Sequence, residues 1–357
     1  MGLIKGLKVR KYHYDIFLRP LKPFDRFRVV VHKMKKSILL SGSPDALEIG
    51  LTYRCQLNCI HCGVHGQYES VQPELDADEI KTVISQAQEL GIYLIVFSGG
   101  EPLMRGDMEE LLGYAARKGL VNAISTNGQL LTSATIRALK ENRVSFINIS
   151  LDSASETTHD RYRGLKGCFR KAEEAIRACA QEGLSVIVST YATKENIYNG
   201  DLKQIIQCAK DLKAKGVRIL LAVPSGKWLG CPQVVLSEQE KSKLHKLLDP
   251  LYVYIEGVCN KFTECNAVAK KLFYVSPCGE VQPCSFVPVY FGNIRKEPLS
   301  DIWNRMRTHS FFSHFDGSDC IMRDKNFSHY FPGEFKNSHK RLILMNNDEY
   351  PVCHKKY

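Results

Sequence analysis

Three cysteines lie within one short stretch: Cys55, Cys59 and Cys62, spaced Cys-x3-Cys-x2-Cys. Soft thiolates suit iron–sulfur clusters, and three of them can hold three irons of a [4Fe–4S] cubane. The fourth iron then lacks a protein ligand, and an open metal position invites a substrate or cofactor to coordinate. Zinc is the alternative, with His61 or His65 as a fourth ligand. Further cysteines gather downstream: Cys259, Cys265, Cys284 and Cys320, with Cys278 and Cys353 as spare candidates. Zinc is an alternative there too, because four-cysteine zinc sites are common. The chain has 13 cysteines in 357 residues, and no apolar export signal opens it. An odd number without export argues against a disulfide framework and for metal or redox chemistry. Cys168, Cys179 and Cys208 fall in helix-like stretches and read as core or half-buried thiols.

The elements that must position these thiols follow a βα rhythm. Strands are predicted at 46–53, 92–97, 121–126, 145–151, 184–191 and 217–223, rich in Ile, Val and Leu as strands buried on both faces should be. Amphipathic helices are predicted between them at 77–90, 107–118, 133–141, 168–182, 200–215 and 237–249. Thr132-Ser133 and the Ser237/Glu240 pair are helix-start signals, and Gly91, Gly119, Gly183 and Gly216 are placed as left-handed helix caps. Six β-then-α units imply a parallel sheet with right-handed crossovers, either a partial barrel or an open doubly wound sheet. In a barrel, chemistry belongs on the loops after the strand carboxyl ends. The first three cysteines sit directly after the first strand. From about residue 255 helical periodicity fades and short strands are expected at 271–275 and 280–282. The domain organisation expected is a basic extension at 1–45, a barrel at 46–255, a second small domain at 256–325 and a tail at 326–357.

With this spacing on the loop after the first strand, the chain resembles the radical S-adenosylmethionine (radical SAM) superfamily. Ser98-Gly99-Gly100-Glu101-Pro102, after the second strand, matches that family's GGEP motif. Thr126-Asn127-Gly128 and Ser150-Leu151-Asp152 fall at the family's strand-end positions around SAM, and Asp160-x-x-Arg163-Gly164 matches a frequent family segment. The resemblance implies an α/β fold with a partial (β/α)6 TIM barrel. It implies a [4Fe–4S] cluster on Cys55, Cys59 and Cys62, with SAM on the open iron. Reductive cleavage of SAM then yields a 5′-deoxyadenosyl radical that abstracts hydrogen from a substrate C–H bond. Cofactor-binding roles carry over to Gly99, Gly100, Glu101, Pro102, Asn127, Ser150, Asp152 and Arg163, with Glu101 accepting from the SAM ammonium and Arg163 clamping its carboxylate. An electron donor such as flavodoxin or ferredoxin is implied as a partner.

Cys259-x5-Cys265, Gly279-x4-Cys284 and the distant Cys320 resemble the SPASM/twitch extensions of this superfamily. That resemblance implies a small β-hairpin/helix iron–sulfur domain with one auxiliary [4Fe–4S] cluster on Cys259, Cys265, Cys284 and Cys320. Cys353 is the alternative fourth ligand. The second-cluster run of the full SPASM pattern is missing, so the one-cluster form is expected. Cys231, on the loop after the sixth strand, is the candidate hydrogen donor to a substrate radical, and Lys227 or Trp228 are candidates to touch an acidic or flat substrate. Peptide or protein modification is the first expectation for the reaction. A small metabolite, cofactor or lipid substrate is the alternative, and a non-catalytic iron–sulfur sensor a remote one.

Composition bounds the partners. Hydrophobic residues make up 44% and charged residues 24%, ordinary for a globular chain, and no run of apolar residues is long enough to span a membrane. A cytoplasmic location is expected. Net charge is +11, with eleven cations in the first 40 residues opposed only by Asp15 and Asp25. That arm reads as a solvated basic extension, or as a contact for an anionic membrane surface. No RNA-recognition module or regular basic–aromatic face accompanies the charge, so nucleic acid is not an expected partner. The 45 residues before the barrel hold no recognisable peptide-leader domain and no room for a cobalamin domain.

Overall fold

A computed structural model of the protein describes residues 21, 23, 25–31, 42–66, 72–249, 251–256, 265–315, 319–324, 327 and 343–345. Cys259, Cys353, most of the basic arm and most of the tail lie outside the described residues. Seven strands follow one another as parallel neighbours: β1 (Ala46–Gly50), β2 (Leu94–Ser98), β3 (Val121–Thr126), β4 (Val144–Ser150), β5 (Val186–Ala192), β6 (Gly216–Leu221) and β7 (Val253–Glu256). Six of these were expected. The seventh escaped the apolar-run pattern because it is four residues long and carries Tyr254 and Glu256. Successive strands pair in register, Ala46 with Leu94 and Leu94 with Val121.

Helices cover the outer face: α1 (Ala77–Glu89), α2 (Met108–Arg117), α3 (Ser133–Glu141), α4 (Glu156–Arg163), α5 (Cys168–Gln181), α6 (Lys194–Tyr198), α7 (Asp201–Asp211) and α8 (Glu238–His245). The strands bury Ile49, Phe97, Ile147, Val188 and Ile219 completely against them. The start signals hold: Thr132 accepts from the Thr135 amide at 3.2 Å, and Ser237 forms a capping box with Glu240. Gly91, Gly119 and Gly183 take positive φ after their helices, but Gly216 does not. It opens β6, and Lys213, at φ 64°, takes the left-handed position after α7 instead. Two short helices, α4 and α6, were not expected. The sequence ETTHDRYR of α4 has no apolar stripe to betray it.

The carboxyl ends of the strands turn polar side chains inward. Ser98, Ser125, Ser150 and Ser189 all line one cavity at that end. The described part of the basic arm sits at the opposite end. Leu21 and Val29 pack on Val121, the first residue of β3, and Asp25 accepts from the Ser145 hydroxyl at 2.7 Å.

The C-terminal region continues the same sheet. Strand β8 (Leu272–Val275) pairs parallel to β1, and β9 (Val281–Gln282) returns antiparallel to β8. The order is therefore β7-β6-β5-β4-β3-β2-β1-β8-β9, and β7 and β9 remain the two edges. A separate pair joins β10 (Val289–Tyr290) to β11 (Ile343–Leu344). Helix α9 (Leu299–Thr308), a helix expected in this region but not placed, buries Leu299, Ile302, Trp303 and Met306. It docks on α1 through the Leu299 amide and Gln86 Oε1 at 2.6 Å, while Trp303 stacks on Phe273 of β8 at 5.2 Å. No helix among the described residues is long and apolar enough to cross a membrane.

Trp303 is 3% exposed and holds α9 to the barrel sheet. Trp303→Ala should lower stability by about 3–5 kcal/mol. Chemical denaturation should show this as one shifted transition of the whole protein, because the region shares the barrel's sheet.

Candidate active site

Residues 51–66, after β1, form the cysteine loop, with no regular helix or strand of their own. Buried peptide groups need partners, and three strand-end loops supply them. After β2, the Gly100 amide donates to Thr52 O (2.7 Å) and the Glu101 amide to Arg54 O (2.9 Å). A Cβ on Gly100 would lie 2.3 Å from Arg54 O, so only glycine permits this approach. After β4, the Asn58 amide donates to Arg163 O (3.1 Å) and the Ile60 amide to Tyr162 O (2.9 Å). There Gly164, at φ +70°, leaves no space for a Cβ beside Asn58 O. After β6, the Lys227 amide donates to Cys62 O (3.0 Å), and the ammonium of Lys227 reaches Asn58 Oδ1. Glu74 completes the frame, accepting from the Thr52 hydroxyl (2.8 Å) and the Tyr53 amide (2.7 Å).

The thiols meet hydrogen-bond donors. The Leu57 amide lies 3.5 Å from Cys55 Sγ, Asn127 Nδ2 3.7 Å from the same sulfur, and Arg163 Nη1 3.8 Å from Cys59 Sγ. Burial pushes the Cys55 thiol up to about 11 and raises Cys62 as well, where neighbouring Cys59 adds to the effect. A metal bound here would have to displace those protons, since thiols ligate as thiolates. All three are free and line one cavity. Among the described residues no three His, Cys, Asp or Glu side chains converge on a single metal ion. A cubane instead spreads three thiolates over three separate irons, and the donor set fits such a cluster.

Behind the loop, Asp152 is 2% exposed and gathers two partners at Oδ2: Arg163 Nη2 at 2.6 Å and His61 Nε2 at 3.2 Å. Burial alone would raise its pKa, but Arg163 and His61 hold it well below the usual range. His159 accepts from the Asp152 amide at 3.1 Å, and burial with the Arg163 charge holds it down to about 4. Asp160 caps α5, accepting from the Phe169 and Gly167 amides at 2.9 and 2.5 Å. The Asp-x-x-Arg-Gly segment is thus a brace: a cap, a cation on Cys59, and a glycine against the loop.

The cavity is about 810 Å³ and is lined by both cysteine sets: Cys55, Cys59 and Cys62, then Cys265, Cys278, Cys284 and Cys320. Burial, then Cys265, pushes Cys320 up to about 12; burial, with Cys320 and Cys265, raises Cys284 well above the ordinary thiol range. Cys278 differs from them, its thiol donating to Gln72 O at 3.3 Å. Ser225 bridges the two halves, donating to Phe286 O (2.8 Å) and Gly63 O (3.2 Å).

The sequence-predicted cofactor residues divide. Gly99, Gly100, Asn127, Ser150, Asp152 and Arg163 line the cavity, whereas Glu101 and Pro102 do not. The Glu101 carboxylate is wholly buried and accepts from the Thr126 hydroxyl (2.7 Å), the Asn127 amide (2.8 Å) and the Leu103 amide (3.1 Å). It ties the β2 loop to the β3 loop. Burial pushes it up to about 7 against those three donors. Pro102 opens a short 3-10 turn. Arg163 spends its fork on Asp152 and Cys59, and Asp152 spends its carboxylate on Arg163 and His61. His61 thereby turns from the thiols, packing on Tyr191 at 4.7 Å and Trp228 at 5.7 Å, so it does not complete a zinc site with them. Lys227 lines the cavity, and Cys231 lies outside its lining.

Sequence reasoning missed the cavity floor. Glu48 accepts from Ser98 Oγ (2.7 Å) and Ser285 Oγ (3.3 Å), and Arg218 pairs with Glu256 at 2.6 Å while donating to Ser189 Oγ. A charge inside an otherwise apolar strand, as in ALEIG or GVRILL, was the available signal.

The parallel sheet, the three-thiol loop and the Gly-Gly-Glu clamp together define a radical SAM enzyme. The chain belongs to the radical SAM superfamily: that family's model matches residues 49–209, and a SPASM model, an iron-sulfur cluster-binding domain, matches 265–326. Its cofactors are accordingly a [4Fe–4S] cluster and SAM, with auxiliary iron–sulfur ligation in the C-terminal region. The Fe-coproporphyrin III synthase of Methanosarcina barkeri is 30% identical, over 81% of this chain and 82% of its own. The AdoMet-dependent heme synthase of Nitratidesulfovibrio vulgaris is 29% identical, over 75% and 81%. In fold, the chain is similar to SuiB of Streptococcus suis, solved with its precursor peptide SuiA, with a TM-score of 0.64, 15% identity, and coverage of 88% of this chain and 78% of that one.

Two buried groups titrate oppositely. His159, at about 4 against an ordinary 6.5, takes a proton in the unfolded chain first, so its stabilisation is lost as pH falls below 6.5. Glu101, at about 7 against 4.5, takes its proton in the folded chain first, so its contribution is lost as pH rises towards 7. Between pH 5 and 6 the two oppose each other, each with a slope of at most about 1.4 kcal/mol per pH unit. Urea midpoints of metal-free His159→Gln should therefore fall with rising pH across this window, and those of Glu101→Gln should rise.

Proposed function

We propose that this enzyme works on a substrate held between two clusters. One is on Cys55, Cys59 and Cys62, the other on Cys265, Cys284 and Cys320 with Cys259. The observation that carries this is the single cavity lined by both described cysteine sets. With cluster and SAM bound, the site supplies a 5′-deoxyadenosyl radical that takes hydrogen from a substrate C–H bond. The protein's residues do the rest. Asn127 and Arg163 donate toward the ligand sulfurs and favour their thiolate form. The backbone at Gly99–Gly100 and the Ser150 side chain offer polar groups to SAM at the strand ends. Asp152 and His61 fix Arg163 in place. A fully thiolate-ligated second cluster suits electron transfer better than substrate coordination.

For the substrate, an acidic and flat small molecule is favoured. Arg54, Lys227 and Arg323 line the cavity beside the Glu256-paired Arg218, guanidinium forks suit carboxylates, and the two curated relatives above are named for haem and Fe-coproporphyrin synthesis. A peptide is the second reading, supported by the structural neighbour solved with its precursor peptide. The electron is expected from flavodoxin or ferredoxin.

Anaerobically reconstituted protein with dithionite and SAM should form 5′-deoxyadenosine, and no turnover by well-loaded protein would sink the reading. The Cys55/Cys59/Cys62→Ala triple variant should lose that activity yet keep about four irons with matching sulfide. An Fe-coproporphyrin should accelerate SAM cleavage more than an unrelated peptide does; the reverse result would favour the peptide reading.

A further inference from the structure

The cluster-bearing loop has an outer side as well as a cavity side. Its stretch Asn58–Ile60 runs between two neighbours: the end of α4 with Gly164–Lys166, and the β6 loop at Gly226–Leu229. From these three adjoining segments come three large apolar side chains left in solvent among the described residues: Ile60 (45% exposed), Leu165 (39%) and Leu229 (38%). None of them lines the large cavity. Ile60 instead borders a recess of about 220 Å³ with Tyr162 and Trp228. Apolar groups clustered this way on a surface mark an interaction site.

One of the three segments runs on into a stretch rich in cations. Residues 161–171 read RYRGLKGCFRK, with five cations and no acid. Arg163 is buried on Asp152, and Arg161 and Arg170 pair with Glu195 and Glu156. Lys166 and Lys171 are exposed, and neither forms an ion pair among the described residues. The patch is also covalently next to the cluster ligands: Ile60 follows Cys59, and Leu165 stands two residues from Arg163, whose guanidinium meets Cys59 Sγ.

We propose that this patch, Ile60, Leu165 and Leu229 with Lys166 and Lys171, docks an acidic, low-potential, one-electron protein donor of the flavodoxin type. The inference rests on the radical SAM reading of the site. During turnover SAM and substrate occupy the cavity side of the loop, so a protein donor has to approach from outside. In the step itself, an anionic flavin hydroquinone gives up one electron, becoming the neutral semiquinone with no proton released. The cluster is reduced by that electron. A basic rim steers an acidic partner and sets the on-rate, while a small apolar centre excludes water.

The test uses the full chain with its clusters reconstituted, comparing wild type with Lys166→Glu/Lys171→Glu and with Leu165→Ser. 5′-Deoxyadenosine formation is measured with dithionite and, separately, against increasing reduced flavodoxin. Dithionite-driven rates should stay within about twofold of wild type, while the flavodoxin-driven kcat/KM of the charge-reversal variant falls about tenfold and loses its salt dependence. Unchanged flavodoxin saturation overturns the proposal. So does an equal loss with both reductants, or a shift confined to the substrate KM, which would make the patch a substrate dock. Calorimetric binding of oxidised flavodoxin reads the patch without turnover: a weakened complex in the charge-reversal variant supports it, and an equal Kd overturns it. Absence of dithionite-driven activity in wild type would strike the radical SAM reading alone.

Discussion

The site depends on the pairing of a loop's backbone with the backbones of its neighbours. The segment carrying Cys55, Cys59 and Cys62 has no helix or strand to hold it, yet three thiols must stay in fixed relation for a cubane to form. Its peptide groups are satisfied from outside: by Gly100 and Glu101, by the carbonyls of Tyr162 and Arg163, and by the amide of Lys227. Backbone-to-backbone contact of this closeness leaves no room for a Cβ, which is why Gly100, Gly164 and Gly226 stand at the three contacts. A side chain at any of them displaces the loop rather than merely crowding it.

The same constraint explains which acids are spent on structure. Buried carboxylates are costly unless paired or hydrogen-bonded. Glu101 takes three donors and binds two loops together, and Asp152 takes Arg163 and His61 and so aims a guanidinium at Cys59. Both acids are thereby part of the frame that holds the loop. The motif is conveyed by the letters Gly-Gly-Glu and Asp-x-x-Arg-Gly, but the physical work of those letters is to brace the loop. The groups that do reach the cavity at these strand ends include Ser150 and Gly99.

Much of this was legible in the sequence, for definite reasons. Strands buried on both faces leave long apolar runs, so β1 to β6 stood out, and glycine-closed helices between them set the rhythm. The cysteine spacing and Gly99-Gly100-Glu101 announced the chemistry because few other uses need those residues at strand ends. What stayed hidden lacked such a signature. Helix α4 is polar throughout, β7 is four residues long, and α9 is a lone ten-residue helix outside the βα rhythm. The destination of a carboxylate was hidden too: nothing local to Glu101 says that Thr126 and the Asn127 amide, a strand away, will take both its oxygens. The course of a loop is hidden in the same way: the β6 loop lines the cavity at Lys227 and no longer does at Cys231.

The shared cavity follows from strand direction. Parallel strands present their carboxyl ends at one rim. β1 ends there and runs into Cys55, Cys59 and Cys62. β8, from the far end of the chain, lies beside β1 and parallel to it, so its carboxyl end reaches the same rim and runs into Cys278 and Cys284. Had β8 joined antiparallel, its exit would have opened at the opposite end, where Leu21 and Val29 pack on Val121. The two cysteine sets face one space because the C-terminal region adds its strand to the barrel's sheet in this sense. Ser225, bonded both to Gly63 beside the first set and to Phe286 beside the second, then locks the halves at the distance the sheet has already chosen.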